Sequence, residues 1–594
     1  MSALVGAIAR RPGVDAPGLA RALAEASRRR ANAEARSIHD EPSLSLWSVV
    51  WRPGSVVAAS RLEDGSYVAI AGDPDLRGER PERIFASCSV EATSTSADGA
   101  PPPLPDRRWT AAFYRPGSAR IRLLGDRLGT AWLYIAETPD VILFGPDYGA
   151  LLATLPALPR VDRETAIVTL ALAYAPDDRT CHEGVTILPP GTLIELDAAG
   201  AREIRRARPR FGDRAAGLSP AAKEHRLEEL IEEAGRVWLP ERDDALVLSL
   251  SGGNDSKYGV LLLTRRMRRA HAVTFGAPSS FDARMARAIT RRLGWEATSY
   301  YDHDATDWTG WTRSVSIAGT TGGYQWSGWA DAWLTLLERL GNEVMLGFLG
   351  DAISGRHLVR AAGSSGSWLD HWMAWSLDEG WADSPVLHSH LASEMREISR
   401  ARFEAMLRGV DTAYPHQSAL HFDWYARQRR HTASQANLID RHAKPIPFFY
   451  TGAMLDFWAN LPYEDLERQS LYLRYARTRA PELWPPPRPA SFASRALGTA
   501  RNALAAMVPG LKRALLPTEI DIGRIIAQNR ARLADLVEQE GESVSLVADP
   551  GRVVASIRGF PGSTEMTSFQ IMRLTNWLLV LRTGTPRATG KGSA

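Results

Sequence analysis

Residues 251–256, which read Ser-Gly-Gly-Asn-Asp-Ser, constrain the fold of this chain more than any other segment. A short apolar run over 245–250 precedes them, and a helical pattern follows over 257–269. This order predicts a β-strand, a tight glycine-rich turn and the start of an α-helix. In such a turn, backbone N–H groups and the positive end of the helix dipole converge on an anion. The segment therefore predicts a phosphate-binding loop.

The side chains of the loop agree with phosphate binding. Ser251 and Ser256 add hydroxyl donors, and Asp255 can hold a metal ion that bridges phosphates. The spacing differs from that of a Walker loop, which needs Gly-x4-Gly-Lys-Ser/Thr. An ordinary glycine-rich turn is the alternative, and the strand before it and the helix after it favour the phosphate loop.

The hexapeptide resembles the pyrophosphate loop of the N-type ATP pyrophosphatases, which cleave ATP between its α and β phosphates. The flanking segments resemble asparagine synthetases, and the resemblance extends to about Phe492. The segments that carry it are Gly125–Thr130, Leu133–Ala136, Val141–Gly145, Tyr148–Leu151, Gly184–Gly191, Gly347–Asp351, Asp440–Arg441, Pro447–Phe449 and Leu461–Pro462.

The resemblance implies a mixed α/β and α+β fold with two domains. Residues 1–200 would form a class II glutamine amidotransferase-like domain, an antiparallel β sandwich with helices like that of the N-terminal-nucleophile hydrolases. Residues 220–500 would form a doubly wound parallel sheet of the adenine nucleotide α-hydrolase type with a helical extension. Residues 501–594 are predicted to be a mostly helical tail without an assigned role.

The residue patterns agree with this division. A helix is predicted over 221–237, and β-strands are predicted at Val273–Phe275 and Val344–Phe348 in the second domain. In the first domain, turn residues separate six short β-like runs. These runs are Leu4–Ala9, Ser45–Val50, Tyr67–Ala71, Ala119–Leu124, Val141–Phe144 and Thr192–Leu196.

Composition excludes several classes of protein. The chain has 594 residues, of which 44% are hydrophobic and 23% charged, as in a globular protein of more than one domain. The net charge of +3 and the scattered arginines predict no nucleic-acid partner. Two cysteines form no disulfide framework or metal motif. No apolar run approaches 18 residues and no signal peptide is recognisable, so we expect a cytoplasmic protein without a membrane partner.

The resemblance also implies site residues. ATP and Mg²⁺ are the expected cofactors, Asp255 and Asp351 the metal ligands, and Asp255, Asp351 and Lys444 the catalytic residues. The basic groups that would meet the phosphates are less defined: Lys257 could reach them or could be an exposed helix lysine, and Arg488 is a further candidate. The implied ATP-binding residues are Leu248, Ser249, Ser251, Gly252, Gly253, Asp255, Ser256, Thr274 and Phe275.

The first domain departs from the family at its nucleophile. Glutamine-dependent asparagine synthetases begin with a cysteine, whereas this chain begins Met-Ser, so that Ser2 would be the exposed residue. The family's Asn-Gly-Glu motif is matched only by 71–73, Ala-Gly-Asp, which lacks the amide donor of an oxyanion hole. We therefore predict a first domain without glutaminase activity, as in β-lactam synthetases and lasso-peptide cyclases.

The second domain departs from the family at Phe348. Asparagine synthetases carry Glu there and β-lactam synthetases Tyr, and both can move a proton when the amide forms. Phe cannot, so another group must be the base, or the amine arrives neutral, or the activity is impaired. His357, Glu343 and Tyr324 are the candidate bases.

These observations predict an ATP-dependent ligase that adenylates a carboxylate and lets an amine displace AMP. The substrates would be a small-molecule or peptide carboxylate and an amine donor, and the protein could be a homodimer or act with a partner enzyme. One alternative is a lasso-peptide or β-lactam type cyclase. Another is a catalytically silent homologue that binds a nucleotide or a partner. The tryptophan-rich segment 326–375 would be core or would line a cleft for a bulky substrate.

Overall fold

The computed structural model contains three β-sheets surrounded by helices. The structure describes residues 2–28, 33–51, 58–76, 80, 104–206, 211–239, 246–276, 278–300, 308–321, 330–360, 367–377, 384–484, 522–562 and 565–584. The strands of the first part are β1 Ser2–Ala9, β2 Glu34–Glu41, β3 Leu44–Val50, β4 Ala58–Arg61, β5 Tyr67–Gly72, β6 Trp109–Tyr114, β7 Ile121–Gly125, β8 Tyr134–Glu137, β9 Val141–Gly145, β10 Val185–Ile187, β11 Thr192–Asp197 and β12 Gly200–Arg206. Those of the second part are β13 Leu246–Ser249, β14 His271–Phe275, β15 Ala297–Tyr300, β16 Glu343–Met345 and β17 Lys444–Ile446.

The first twelve strands form a sandwich of two six-stranded antiparallel sheets. Their orders are β10-β8-β9-β1-β3-β2 and β12-β11-β7-β6-β5-β4. Leu4 and Ile8 of the first sheet share one buried cluster with Leu123 and Leu196 of the second, so the core lies between the sheets. The outer face of the first sheet is covered by the helix Ala16–Arg28, which explains why β1 is apolar on both faces.

All six β-like runs predicted in the first domain are strands. Their observed bounds differ from the predicted ones by at most two residues. The strands β2, β4, β6, β8, β10 and β12 were not predicted. For β2 the reason is that it lies at the edge of its sheet and its polar side chains remain largely exposed.

The last five strands form a parallel sheet with the order β15-β14-β13-β16-β17. The chain runs outward from β13 through β14 and β15 and then returns to the other side of β13 as β16. The strand order therefore reverses between β13 and β16, and open α/β sheets form a ligand crevice at such a switch point, outside the carboxyl ends of the strands. The loop at 250–253 follows β13 and Asp351 follows β16, so the topology directs both to this crevice.

Helices make up most of the remaining structure. The helix predicted over 221–237 is observed as Pro220–Trp238, capped by the Ser219 hydroxyl, which accepts from the Ala222 N–H. A π-helix spans Asp423–Thr432, and short 3₁₀ segments span Arg356–Arg360 and Glu467–Gln469. The other α-helices are Tyr148–Thr154, Arg163–Leu172, Asn254–Arg265, Phe281–Leu293, Trp308–Ala318, Ala330–Leu340, Gly350–Ile353, Trp368–Leu377, Leu391–Leu407, His416–Phe422, Ala433–Ile439, Gly452–Trp458, Tyr463–Leu466, Ser470–Arg479, Ile522–Gln539, Gly541–Ser545, Pro550–Gly559 and Ser568–Leu581.

The described part of the C-terminal tail packs against both halves of the chain. The Trp577 indole N–H donates to the Ala166 carbonyl in the first half, at 2.7 Å. The Asn576 side chain accepts from the Trp311 indole N–H and donates to the Thr321 carbonyl in the second half. The tail therefore connects the two halves through hydrogen bonds.

Two of the family-like motifs also join the halves. The buried Asp126 carboxylate accepts from the backbone N–H groups of Leu128, Thr130 and Ala131, and from the Tyr450 hydroxyl at 2.5 Å. Because Tyr450 belongs to the second half, the turn at 125–130 is held in place by an interdomain hydrogen bond.

The second such motif is Asp440–Arg441. The Asp440 carboxylate lies 2.6 Å from the buried Arg108 guanidinium, and the Arg441 guanidinium stacks on the Trp51 ring at 4.6 Å. Arg429, in the π-helix, lies 2.6 Å from Asp178. These buried contacts fix the position of the parallel sheet relative to the sandwich.

None of the helices in the described ranges is both long and apolar enough to cross a membrane.

Candidate functional site

The predicted phosphate loop connects β13 to the helix Asn254–Arg265. Its serine hydroxyls close the loop on itself: Ser256 Oγ accepts from the Ser251 N–H at 3.1 Å, and Ser251 Oγ accepts from the Gly253 N–H at 3.0 Å. Ser256 is buried, whereas Gly253 at the helix N-cap is exposed. The two hydroxyls thus shape the loop by accepting from two of its backbone N–H groups.

Gly252 contacts the helix Phe281–Leu293, which follows β14. The Gly252 N–H donates to Asp282 Oδ1 at 2.7 Å, and the exposed Phe281 ring lies against the same residue. A Cβ at Gly252 would lie 2.5 Å from Phe281 Cε1 and 2.7 Å from Asp282 Oδ1, so a larger residue there would require both side chains to move.

The Asp255 carboxylate contacts the backbone of Asp351 at the switch point although the two residues are 96 positions apart in sequence. Asp255 Oδ2 accepts from the Asp351 N–H at 2.9 Å, and Asp255 Oδ1 accepts from the Tyr472 hydroxyl at 2.7 Å. Burial, together with the negative charge of Asp351, raises the pKa of Asp255 well above its usual range. A divalent cation between the two carboxylates would relieve this repulsion.

The donor set fits Mg²⁺ bound together with a phosphate. Mg²⁺ usually takes one or two carboxylates and completes its shell with phosphate oxygens and water. Within the described residues, no group of three or more His, Cys, Asp or Glu side chains could hold a metal ion. The pair Asp255 and Asp351 therefore suits a metal that arrives with its nucleotide rather than a metal held by the protein alone.

Two glycines allow the second loop to lie on Asp255. A Cβ at Gly347 would lie 2.8 Å from Asp255 Cβ, and a Cβ at Gly350 would lie 2.4 Å from Asp255 Cγ. Between them, Leu349 adopts a left-handed backbone with φ +74°. A non-glycine residue in this region is strained, and such strain concentrates at functional sites.

Replacing Gly350 with alanine tests this packing. We expect a loss of stability of about 1–3 kcal/mol from overpacking, together with weaker ATP binding. Gly541 begins another short helix and has no atom within 4 Å of its Cβ position, so Gly541→Ala is the matched control and should leave both properties unchanged. Thermal unfolding and ATP titration would measure them. Equal behaviour of the two variants would contradict this account of the loop.

Sequence reasoning missed Gln469, which connects the two loops. Its amide nitrogen donates to Ser354 Oγ at 2.6 Å and to Asp351 Oδ1 at 3.4 Å, and its amide oxygen accepts from the Asn254 side chain at 3.5 Å. Gln469 and Arg468 both have positive φ values, +59° and +53°. Tyr472, the donor to Asp255, was missed as well. No motif surrounds these residues in the sequence, so no sequence signal could have found them.

The other predicted ATP-binding residues lie on the strands beside the loop. Leu248 and Ser249 end β13, and Leu248 is fully buried. The Thr274 hydroxyl donates to the Leu250 carbonyl at 2.8 Å and so ties β14 to the loop. Phe275 ends β14 and packs edge-on against Trp333 at 4.9 Å. Whether these residues contact a nucleotide stays a prediction.

Lys444 does not reach the phosphate loop. It begins β17 and is paired in register through Glu343 to Leu246, the first residue of β13, whereas the loop follows the last residue of that strand. Its ammonium lies 2.8 Å from Asp73 and 3.6 Å from Glu343. Because the strands are parallel, Lys444 lies at the amino-terminal ends of the strands, whereas the phosphate loop lies at their carboxyl ends. The catalytic role implied for Lys444 stays a prediction.

Lys257 is the basic residue that lies beside the loop. It is only 9% exposed, so the alternative of an exposed helix lysine does not apply. Its ammonium lies 5.8 Å from the centre of the Trp484 ring, and burial lowers its pKa against the opposing effect of Asp282. Arg488, the other basic candidate, lies outside the described residues.

The candidate bases are distinguished by position. Phe348 is buried, and Glu343 lies with Lys444 at the amino-terminal ends of the strands, away from the phosphate loop. Tyr324 lies outside the described residues. His357 Nδ1 lies 2.5 Å from Asp423 Oδ2, and the Gln428 amide donates to the other oxygen of Asp423 at 3.1 Å.

The pair His357 and Asp423 is close to the second carboxylate. The preceding residue, Arg356, places its Nε 3.5 Å from Asp351 Oδ2. The Trp424 indole donates to the carbonyl of Ala352, the residue after Asp351. Although Asp423 is buried, the positive charge that His357 can carry lowers its pKa below the usual range. The arrangement orients an imidazole through a buried carboxylate, as a general base requires.

In the first half, the region around Ser2 and Gly72 contains internal ion pairs. Ser2 Oγ accepts from the Gly72 N–H at 3.3 Å. The next residue, Asp73, lies 2.8 Å from the Lys444 ammonium and 3.1 Å from the Arg107 guanidinium. The pKa of Asp73 is lowered because these two cations outweigh the effect of burial. The Gly72 N–H and the Asp73 carboxylate are thus already engaged within the protein.

The tryptophan-rich segment is mostly core where the structure describes it. Trp333 and Trp372 are buried, and Trp368 is partly buried against Tyr463 at 5.6 Å. Trp326, Trp329 and the side chain of Trp375 lie outside the described residues. The reading of an aromatic cleft for a substrate therefore stays a prediction for part of the segment.

Comparisons with known proteins give little guidance to function. The chain matches no protein-family model and no curated protein. Among solved structures, glutamine phosphoribosylpyrophosphate amidotransferase from B. subtilis, complexed with ADP and GMP, is 9% identical with a TM-score of 0.21, over 50% of this chain and 65% of that one. A structure described as the allosteric regulatory enzyme of purine biosynthesis is 10% identical with a TM-score of 0.23, over 50% of this chain and 80% of that one. These values are too low to assign an activity or a ligand.

Proposed function

We propose that this protein is an ATP-dependent amide ligase that activates a carboxylate as its adenylate. The observation that carries the proposal is the meeting of Asp255 and Asp351 beside a Ser-Gly-Gly loop at the switch point of a parallel sheet. The amidotransferase-like character of the first half rests on the sequence resemblance. ATP and Mg²⁺ are the proposed cofactors, and a carboxylate and an amine are the proposed substrates.

The reaction would proceed in two displacements. A carboxylate oxygen of the substrate attacks the α-phosphorus of ATP. The bond between that phosphorus and the oxygen bridging to the β-phosphate breaks, and pyrophosphate leaves with this oxygen. Asp255 and Asp351 would hold Mg²⁺, and the metal would supply positive charge against that of the pyrophosphate. The amine then attacks the acyl carbon, AMP leaves with the bonding electrons, and the amine loses a proton.

The chain's own residues prepare these steps. Tyr472 and the Asp351 N–H hold the Asp255 carboxylate in a fixed orientation, which lowers the reorganisation needed when the nucleotide binds. Gln469 keeps the loop carrying Asn254 at a fixed distance from Asp351. Phe348 cannot act as a base, and His357, which Asp423 orients, would take the proton from the amine instead.

Replacing His357 with glutamine separates the two displacements. We expect amide formation with an alkyl amine to fall by about 10²–10⁴-fold, because that amine is protonated at neutral pH and needs a base. Carboxylate-dependent exchange of pyrophosphate into ATP should persist, and so should trapping of the adenylate by hydroxylamine, which is largely uncharged at neutral pH. The carboxylate for both assays would come from a pyrophosphate-release screen.

The control for this variant is His225→Gln, because the His225 side chain is 74% exposed and lies in the helix Pro220–Trp238. Asp423→Asn should reproduce the defect of His357→Gln. A loss of exchange equal to the loss of amide formation would assign His357 to structure and not to proton transfer.

The cyclase alternative is favoured by one observation. Asp73, next to the Gly72 N–H that binds Ser2, is already paired with Lys444 and Arg107. Such pairing supports an amine that is supplied by an organic substrate and not by glutamine. A silent homologue is the remaining alternative, and screening candidate carboxylates for pyrophosphate release tests it directly.

A further inference from the structure

The Lys257 side chain lies beside the phosphate loop and has no anionic hydrogen-bond partner within the described residues. It is 91% buried, since its exposure is 9%, and in the described part of the chain its ammonium makes no hydrogen bond or ion pair. Its neighbours are the face of Trp484 and the charge of Asp282. An ammonium beside the loop that no carboxylate pairs within the described residues can form a charge-assisted hydrogen bond to a ligand with acceptor oxygens.

The position of Lys257 relative to the loop is fixed by Trp484. The Trp484 indole N–H donates to the side chain of Asn254 at 3.0 Å, and Asn254 is the first residue of the helix after the loop. Trp484 also packs edge-on against Tyr258 at 5.2 Å. The ammonium is thus held over an aromatic ring that is itself bonded to the phosphate loop.

Asp282 supplies the negative charge that faces these groups. Its Oδ1 accepts from the Gly252 N–H at 2.7 Å, a bond that a phosphate oxygen could make in the same way. The carboxylate therefore holds a loop amide and partly balances the charge of Lys257. A pyrophosphate group that approaches the loop would be repelled by this carboxylate and attracted by the ammonium.

We propose that Lys257 and the Gly252 amide bind the pyrophosphate moiety of the nucleotide, and that the Asp282 carboxylate holds the amide until the pyrophosphate displaces it. Asp282 then acts as an internal competitor that weakens binding of free pyrophosphate and favours its release after the first displacement. This inference depends on the proposed function only for the identity of the nucleotide. The residue at 257 follows the hexapeptide directly, so the cation is supplied by the same helix that carries Asp255.

Calorimetric titration of the full chain with inorganic pyrophosphate, ATP and AMP tests the proposal without using activity. Titrations with a metal chelator present separate these residues from any metal effect. We expect Lys257→Met to weaken the binding of pyrophosphate and ATP by about tenfold or more, because a charge-assisted hydrogen bond is lost. We expect Asp282→Asn to tighten both by about tenfold, because the amide can still accept from Gly252 but carries no charge. AMP, which lacks the pyrophosphate, should respond to neither.

Two control variants match these charge changes. Arg532→Met removes another cation stacked on a tryptophan, Trp308, in the C-terminal tail. Glu542→Gln removes an exposed acidic residue from the first turn of another helix. Both should leave the affinity for pyrophosphate unchanged, which excludes a general effect of net charge.

The outcomes distinguish this proposal from the proposed function. If the unaltered protein binds pyrophosphate and Lys257→Met binds it equally well, this inference is wrong while the ligase proposal stands. If Asp282→Asn weakens binding only when Mg²⁺ is present, Asp282 is a metal ligand and not a competitor. If the unaltered protein binds neither pyrophosphate nor ATP, both proposals fail.

Discussion

Asp351→Asn is expected to reduce carboxylate-dependent ATP cleavage to background while leaving the fold intact. The amide keeps the size of the side chain but not its charge, and a metal that stabilises the departing pyrophosphate by several kcal/mol would be lost, which corresponds to about 10²–10³-fold or more in rate. The N–H of Asp351 that donates to Asp255 belongs to the backbone, so the substitution does not remove that bond. Pyrophosphate release at increasing Mg²⁺ concentration measures the effect.

Asp255→Asn should abolish the same activity but with a cost to stability. Both oxygens of Asp255 accept hydrogen bonds, from Tyr472 and from the Asp351 N–H, and an asparagine can replace only one of these acceptors. The lost bond should destabilise the site by about 1–3 kcal/mol. Asp535→Asn, at an exposed position of the helix Ile522–Gln539, is the control. Wild-type activity in both site variants would end the adenylation hypothesis.

No ammonia should be released from glutamine by the first half of the protein. Ser2 carries a hydroxyl, a far weaker nucleophile than the thiolate of the family, and its Oγ accepts from the Gly72 N–H. Without the Asn of the family motif, one donor for the oxyanion is missing, at a cost of about 2.7–4 kcal/mol in the barrier. Asp73 is held by Lys444 and Arg107.

Glutamine labelled at the side-chain nitrogen gives the measurement. With ATP and Mg²⁺ present, we expect no labelled amide and no glutamate above the level of a Ser2→Ala control. An organic amine remains the expected donor, since its binding can orient the nitrogen towards the adenylate, an effect worth about 7–11 kcal/mol. Glutamate release that Ser2→Ala removes would restore a glutamine-dependent synthetase.

Local sequence patterns were sufficient to predict segments whose secondary structure depends mainly on their own residues. The strand, turn and helix at 246–265 follow from an apolar run, two glycines and a helical period. The helix Pro220–Trp238 follows from its cap and its apolar face. The six predicted strands of the sandwich carry enough apolar residues to be recognised without their partners. Strands such as β2, which pair at an edge and expose polar side chains, carry no such signal.

The sequence by itself thus determined the fold class and the strand, turn and helix of the predicted phosphate loop, and by resemblance it proposed Asp255 and Asp351 as a pair. Only the tertiary structure decided which charges meet. Strand direction places Lys444 at the amino-terminal ends of the strands, away from the loop, and against Asp73. Chain segments that are distant in sequence bring Gln469, Tyr472 and Asp282 to the loop. Burial of a lysine or a carboxylate depends on such long-range packing, and no local periodicity records it.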